Sequence, residues 1–195
     1  MKKFDAVIFD IDGVLVNTLR TFFNYHRTHT PAYRNLRYDD LPQIQPRYPS
    51  GGILKTGIPD YEYYLTRRVL YPYARELIHN LYKHKIKLFC LSGTSHPDQK
   101  GQMIRELFDG KITFEHAPYN VPKEQYLVAL LKKYSLDKQR TVFIDDRIDM
   151  VRDAVKIGLP VVRRLVRFAT PSPMDLAHVP CVHSLREFEQ YIIPS

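Results

Sequence analysis

The stretch FDIDGV at residues 9–14 follows directly on Phe4–Phe9, an apolar run with the composition of a buried β-strand. Asp10 and Asp12 are one residue apart at the end of this strand, so their side chains lie on the same face. Two carboxylates this close repel each other, and a divalent cation that prefers oxygen ligands, such as Mg²⁺, would compensate their charge. Taken alone, the pair is equally typical of a turn or a helix cap.

A second acidic pair, Asp145 and Asp146, ends the apolar run Thr141–Ile144. On its own this pair is better explained as the N-cap of the predicted helix Ile148–Ile157. Capping alone is a weaker explanation for two such pairs at the ends of two strands. The carboxyl ends of parallel strands meet at one edge of a sheet, where open α/β sheets bind ligands. The sequence therefore predicts one acidic site made from both pairs.

Two further segments, between the acidic pairs in sequence, suit an anion. Ser92, Gly93 and Thr94 follow the predicted strand Ile86–Leu91, and their hydroxyl and backbone N–H groups can bind a phosphoryl oxygen. Lys123 begins a predicted helix, where a cation is unfavourable against the helix dipole unless an anion lies nearby. Each residue alone is more typical of an ordinary turn serine or a surface lysine.

Strand and helix alternate through most of the chain, which predicts an α/β fold with a doubly wound, Rossmann-like parallel sheet and helices on both faces. Ser184 and Glu187 have the spacing of a helix capping box, so a short helix is expected after them. The other predicted strands are Ile112–Phe114 and Val161–Val162, and the other predicted helices are Tyr73–Lys83, Asp98–Leu107 and Lys123–Tyr134.

Residues 17–71 interrupt this alternation, because they separate the first strand from the next predicted helix of the core by far more than an ordinary connection. Thr18–His26 and Tyr61–Leu70 have helical periodicity, and the segment between them is rich in proline and glycine. The prediction is a small, mostly helical cap at residues 17–71, inserted into a core formed by residues 1–16 and 72–195.

The composition is that of a folded globular chain of 195 residues, with 44% hydrophobic and 26% charged residues. Asp5, Asp10 and Asp12 interrupt the first apolar run, which excludes it as a signal peptide or membrane span. Cys90 and Cys181 have no metal-binding or disulfide spacing, and Cys90 is expected in a buried strand. We therefore expect a cytoplasmic protein with no membrane partner. The net charge of +8 would attract phosphorylated small molecules or nucleic acid without distinguishing them.

The order Asp-x-Asp, Ser, Lys, Asp-Asp resembles the four-motif signature of the haloacid dehalogenase superfamily, and the resemblance covers nearly the whole chain. FDIDGVLVNT at residues 9–18 is similar to the first motif and KLFCLSGT at residues 87–94 to the second. Lys123 matches the third motif, and FIDDRIDMVRDAVKIGL at residues 143–159 the fourth. The resemblance implies a phosphatase that depends on Mg²⁺.

In such an enzyme Asp10 would be the nucleophile that becomes phosphorylated, and Asp12 its acid/base partner. Ser92, Gly93 and Lys123 would bind the phosphoryl oxygens.

The Mg²⁺ ion would be held by Asp10, the backbone carbonyl of Asp12 and the second acidic pair. Asp146 is preferred for direct contact because Gly158 lies behind it at the spacing of similar motifs. Asp145 could exchange roles with it.

The expected substrate is a small phosphorylated metabolite, a nucleotide or sugar phosphate, because helical caps of this family close over such molecules. A polynucleotide 3′-phosphatase is the alternative. The sequence around IDDR at residues 144–147 resembles the phosphatase domain of bacteriophage polynucleotide kinase, and the basic net charge would favour binding of a polynucleotide. A binding module that holds a phosphorylated ligand without catalysis is the alternative of another class. The candidate substrate-binding side chains of the cap are Arg20, His26, Arg34, Arg37, Arg47, Tyr48 and Lys55.

Overall fold

The computed structural model describes residues 2–41, 61–118 and 122–194. Its centre is a six-stranded sheet in the order β3-β2-β1-β4-β5-β6, in which every neighbouring pair is parallel. The first strand is therefore central, as the family resemblance implies. The strands are β1 (Ala6–Phe9), β2 (Lys87–Ser92), β3 (Thr113–His116), β4 (Thr141–Asp145), β5 (Val161–Arg164) and β6 (Cys181–Val182).

Seven α-helices accompany the sheet in these described ranges. None of them is long and apolar enough to cross a membrane. They are α1 (Thr18–His29), α2 (Tyr61–Arg67), α3 (Ala74–Lys83), α4 (Pro97–Leu107), α5 (Lys123–Lys133), α6 (Ile148–Lys156) and α7 (Leu185–Ile192).

Helices cover both faces of the sheet, so the predicted doubly wound α/β fold is confirmed. Val7 and Phe9 of β1 pack into one apolar layer with α3, α4 and α7. Ala6 and Ile8, which point the opposite way, pack into a second layer with α5 and α6. All four side chains are at most 1% exposed. This double burial explains why the strands read as continuous apolar runs rather than as alternating ones.

The predicted elements are confirmed with small shifts at their ends. The strand predicted at Val161–Val162 continues to Arg164, and the helix predicted to run to Leu70 ends at Arg67. Tyr73 precedes α3 in a left-handed conformation (φ 71°), so that helix begins one residue later than predicted. β6 was not predicted, because two residues are too few to show a periodicity.

The capping box before α7 is confirmed. The backbone N–H of Glu187 donates to Ser184 Oγ at 3.1 Å, and the N–H of His183 donates to Glu187 Oε2 at 2.8 Å. Phe188 and Ile192 of the helix are fully buried against the sheet. Cys90 is also fully buried within β2, as expected.

The insertion joins the core through two chain segments that lie side by side. Val16 forms an antiparallel bridge with Leu70, and the N–H of Asn17 donates to the Val69 carbonyl at 2.7 Å. The N–H of Tyr71 donates to the Leu15 carbonyl at 3.0 Å. We therefore keep residues 17–71 as the proposed cap and residues 1–16 and 72–195 as the proposed core, with these paired segments as the hinge.

Within its described part, the cap has a small apolar cluster of its own, in which Phe22 and Phe23 of α1 are buried with Leu41. Phe168, from the segment that follows β5, packs on the edge of this cluster. The segment is also ion-paired to the cap through Arg167 and Asp39. The cap in this structure therefore contacts the core at a place remote in sequence from the hinge.

Candidate active site

The first group at the carboxyl edge of the sheet is built by the ends of β1 and β4. The N–H of Asp10 donates to the Ile144 carbonyl at 2.9 Å, so the residue continues the pairing of the two strands. Asp145 is the last residue of β4. Lys123, in the first turn of α5, donates to Asp10 Oδ1 and to Asp145 Oδ2, both at 2.7 Å. Lys123, whose position at a helix start predicted a nearby anion, thus contacts two carboxylates.

Asp146 completes this group. Oxygens of Asp10, Asp145 and Asp146 lie within 4.8 Å of one another. Gly13, with φ +103°, passes so close to Asp146 that an added Cβ would be 2.4 Å from its carboxylate carbon. The glycine of the first motif is therefore required both by its backbone conformation and by the space that the second acidic pair occupies.

Lys123 does not balance the charge of this group. Burial disfavours its ammonium, yet Asp10 and Asp145 hold its pKa above the ordinary value. Burial raises the pKa of Asp145 to about 7, with Lys123 opposing and the Asp10 and Asp146 carboxylates reinforcing the rise. Oxygens of three carboxylates converge here, and they are hard ligands of the kind that Mg²⁺ binds. The donor set therefore fits a divalent cation.

Ser92 ends β2 at the same edge and is 2% exposed. Gly93 follows it, half-buried, and Thr94 is buried beyond it. The Thr94 hydroxyl accepts from the N–H of His96 at 3.0 Å, which shapes the turn into α4. The predicted phosphate-binding residues Ser92, Gly93 and Lys123 thus all lie at the ends of elements on this edge.

Asp12 belongs to a second group. Its Oδ1 accepts from Thr18 Oγ1 at 2.6 Å and from the Tyr64 hydroxyl at 2.7 Å, both residues of the cap. Its Oδ2 is ion-paired to Lys100 Nζ at 2.5 Å, and Nζ also donates to Ser92 Oγ at 2.9 Å. Burial opposes the charge of Lys100, but Asp12 raises its pKa above the ordinary value. Burial and the Asp12 carboxylate also raise the pKa of Tyr64 well above its usual range, so its phenol stays neutral as a donor.

The sequence prediction missed Lys100, Tyr64 and Thr18. A signal for Lys100 was available, since Lys100, Met103, Ile104 and Leu107 form the buried stripe of α4 at helical spacing. A lysine in such a stripe requires an anionic partner. The tyrosine had no comparable signal, because aromatic residues at helical spacing are ordinary in a core.

A sequence-family model described as haloacid dehalogenase-like hydrolase matches residues 4–152 of the chain. That range contains Asp10, Asp12, Ser92, Lys123 and the second acidic pair. No curated protein matches the chain significantly.

Solved structures share the fold over the whole chain. A dehalogenase captured as an intermediate complex has a TM-score of 0.72 at 14% identity, with 100% of both chains covered. A proposed phosphoglycolate phosphatase from Lactobacillus delbrueckii subsp. bulgaricus has a TM-score of 0.67 at 18% identity, again with 100% of both chains covered. CbbY from Rhodobacter sphaeroides, in complex with xylulose 1,5-bisphosphate, has a TM-score of 0.61 at 17% identity, covering 94% of this chain and 96% of that one. At these sequence identities the structural similarity establishes the fold alone.

Proposed function

The chain belongs to the haloacid dehalogenase-like hydrolases and is an enzyme of the phosphatase type, and on this premise we propose that it hydrolyses a small phosphorylated metabolite with Mg²⁺, through an aspartyl-phosphate. The observation that carries the proposal is the group of three carboxylates, Asp10, Asp145 and Asp146, with Lys123 bridging two of them at the carboxyl edge of the sheet. A nucleophilic carboxylate, a cation site and a fixed ammonium are the parts that phosphoryl transfer requires.

Asp10 attacks phosphorus in line with the leaving oxygen. The Oδ–P bond forms as the bond from phosphorus to the leaving oxygen breaks, and Asp12, which enters this step as the protonated acid, gives that oxygen its proton. Asp12 then takes a proton from the water that attacks the phosphorylated Asp10. Inorganic phosphate leaves, and both carboxyl groups return to their starting states.

Lys123 fixes the nucleophile, since it holds Asp10 Oδ1 at 2.7 Å from an ammonium that burial keeps away from bulk water. The same ammonium, with the Ser92 hydroxyl and the Gly93 backbone, would stabilise the charge on the equatorial phosphoryl oxygens.

Asp10, Asp146 and the backbone carbonyl of Asp12 would hold Mg²⁺, which when bound neutralises the repulsion between an anionic nucleophile and an anionic substrate. Asp145 fits a supporting role better than direct contact. Its Oδ2 binds Lys123, and its Oδ1 accepts from the N–H of Arg147 at 2.9 Å. Both of its oxygens are thus engaged by the protein, which favours the supporting role for Asp145.

The proposed cap supports a small substrate, because α2 reaches the site itself through Tyr64. Two of the candidate cap residues have partners within the cap. The guanidinium carbon of Arg20 lies 4.8 Å from the centre of the Tyr38 ring, and His26 Nδ1 is hydrogen-bonded to Thr30 Oγ1 at 2.8 Å. Arg34 lines an open surface depression whose other lining residues also belong to the proposed cap, and both Arg34 and Arg37 are exposed. Arg34 and Arg37 therefore remain candidates for substrate binding, while Arg47, Tyr48 and Lys55 lie outside the described residues.

A screen of phosphorylated metabolites with and without chelator tests the proposal. It should include a mononucleotide and an oligonucleotide that both carry a 3′-phosphate, measured across a salt series. We expect a small ester to be preferred, with a shallow dependence of kcat/KM on salt. A strong preference for the oligonucleotide that falls steeply with salt, as counterions are released, would instead establish the polynucleotide phosphatase. No hydrolysis of any ester in Mg²⁺ would overturn both.

A further inference from the structure

Lys100 is a second buried ammonium of the site and is 3% exposed. It lies in the first turns of α4, eight residues after Ser92, and is not one of the four motif residues. Its Nζ joins two residues with different proposed tasks, the acid/base Asp12 and the phosphate-binding Ser92. Taking the proposed phosphatase function as given, we propose that Lys100 is a positioning residue that orients the Asp12 carboxyl and the Ser92 hydroxyl for the reaction.

Lys100 fixes the direction in which the Ser92 hydroxyl can donate. A lysine ammonium has three donors and no acceptor, so Ser92 Oγ must accept in the 2.9 Å bond from Lys100. The hydroxyl hydrogen of Ser92 therefore points away from Nζ and is directed to another acceptor. A serine held in this way presents a donor to a phosphoryl oxygen without first having to rotate.

The two carboxylate oxygens of Asp12 accept from different donors. Lys100 binds Oδ2, whereas the hydroxyls of Thr18 and Tyr64 both bind Oδ1. Donors on opposite oxygens fix the plane of the carboxylate as well as its direction. Lys100 supplies the core's side of this arrangement, and the two hydroxyls supply the cap's side.

A purely structural ion pair and a positioning residue differ in how their loss depends on the leaving group. Proton donation by Asp12 is needed for an alkoxide leaving group and hardly at all for 4-nitrophenolate. The ratio kcat/KM reports the steps up to release of the alcohol. A variant that misplaces Asp12 should therefore lose more kcat/KM on 2-glycerol phosphate than on 4-nitrophenyl phosphate, whereas a variant that is merely less stable loses equally on both.

The test compares Lys100→Met with wild type on these two esters in Mg²⁺, with Lys133→Met, which removes an exposed lysine paired with Glu115, as the control. We expect kcat/KM of Lys100→Met to fall about 10²-fold or more on 2-glycerol phosphate, the size of a general-acid contribution. On 4-nitrophenyl phosphate we expect a loss of about tenfold or less, as for one hydrogen bond. Equal losses on both esters, or no loss, would overturn the proposal.

A double variant keeps the proposal testable if Lys100→Met alone does not fold, since removing one partner leaves a buried charge unpaired. Lys100→Met combined with Asp12→Asn removes both charges. Compared with Asp12→Asn alone, the double variant should lose no more than about tenfold on either ester, because Asp12 no longer transfers a proton. A further loss as large as about 10²-fold would contradict action through Asp12. A wild type that hydrolyses no ester of the metabolite screen would refute the proposed function itself. A wild type that hydrolyses only other esters is compared with the variants on an alkyl and an aryl ester that it accepts, so the two failures stay separate.

Discussion

The site contains two lysine–carboxylate groups that differ in what holds them in place. In the first, Lys123 bridges Asp10 and Asp145, and all three residues stand at the ends of elements of the core. In the second, Lys100 bridges Asp12 and Ser92, and the remaining donors, Thr18 and Tyr64, come from the proposed cap. The first group depends on the core alone, whereas the second also depends on where the cap lies.

The two groups also differ in charge. In the first, oxygens of three carboxylates converge within 4.8 Å of one another, and the Lys123 ammonium contacts Asp10 and Asp145, so a cation bound among the three would be stabilised. In the second, one carboxylate faces one ammonium and two neutral hydroxyls, so its own residues balance the charge. We infer that the first group needs Mg²⁺ and is already organised without substrate, and that the second is where the cap influences the chemistry.

The largest effect is expected from Asp10→Asn. An amide of nearly the same shape is a poor nucleophile, so kcat on 4-nitrophenyl phosphate should fall about 10⁴-fold or more, as for loss of other nucleophiles. The matched control is Asp109→Asn, which alters an exposed acid in the turn between α4 and β3, at the far edge of the sheet. Substantial activity in Asp10→Asn would show that the covalent route assigned to the first group is wrong.

Asp146→Ala should have the next largest effect, with kcat/KM reduced about 10²-fold or more in saturating Mg²⁺, since the nucleophile and the phosphate then repel each other. Chelation should abolish wild-type activity. Addition of Mg²⁺ should raise the thermal unfolding midpoint of the wild type more than that of the variant, because an ion that binds the folded state stabilises it. If chelator changed neither activity nor the midpoint, the first group would not be a metal site.

Gly13→Ala should disturb the same group through sterics. The new methyl carbon would overlap the Asp146 carboxylate at the position of φ +103° and the strained backbone would cost about 1–2 kcal/mol. We expect the Mg²⁺ concentration for half-maximal activity to rise about 10–100-fold, as for other losses of a ligand's support. Gly110→Ala is the control, because it also has positive φ but no atom within 4 Å of its added Cβ. If both variants needed the same Mg²⁺ concentration for half-maximal activity, the close approach of Gly13 to Asp146 would not affect metal binding, and the prediction would be wrong.

The first group could be predicted from sequence, whereas only Asp12 and Ser92 of the second could, for a physical reason. Asp10, Asp145 and Ser92 lie at or directly after strand ends, and parallel pairing brings strand ends together whatever the details of packing. Tyr64 reaches Asp12 from a helix 52 residues away in sequence, across the hinge. Its place depends on how the cap docks, which no local pattern specifies. Lys100 falls between these cases, because its apolar stripe marked it as needing a partner but not which partner.

The fold, like the site, could be predicted where local sequence patterns specify it and not where it depends on contacts between distant segments. The parallel sheet with helices on both faces followed from the alternation of strand and helix, because each βα unit buries its own apolar face on the sheet. β6 could not be found, since Cys181–Val182 forms its pairing only through contacts with β5. The contact of Phe168 with the cap was equally invisible, because it joins two irregular segments.

The smallest effect is expected from Tyr64→Phe, which removes one cap hydroxyl from Asp12 and leaves the ring in place. A hydrogen bond to a charged group contributes about 1.5–3 kcal/mol. Because Thr18 still donates to the same oxygen, we expect the lower end of that range, a fall of about tenfold in kcat/KM on 2-glycerol phosphate. The Mg²⁺ concentration for half-maximal activity should not change, because Asp12 contributes only its backbone carbonyl to the proposed metal site.

Tyr61→Phe is the matched control, since it lies on the same helix and its hydroxyl bonds Thr94 at 3.1 Å rather than Asp12. It should lose less activity than Tyr64→Phe on the alkyl ester. A Tyr64→Phe variant that needs as much additional Mg²⁺ as Gly13→Ala would contradict the separation of the two groups. The cap would then control the metal site as well, and the carboxylates at the strand ends would not be organised by the sheet alone.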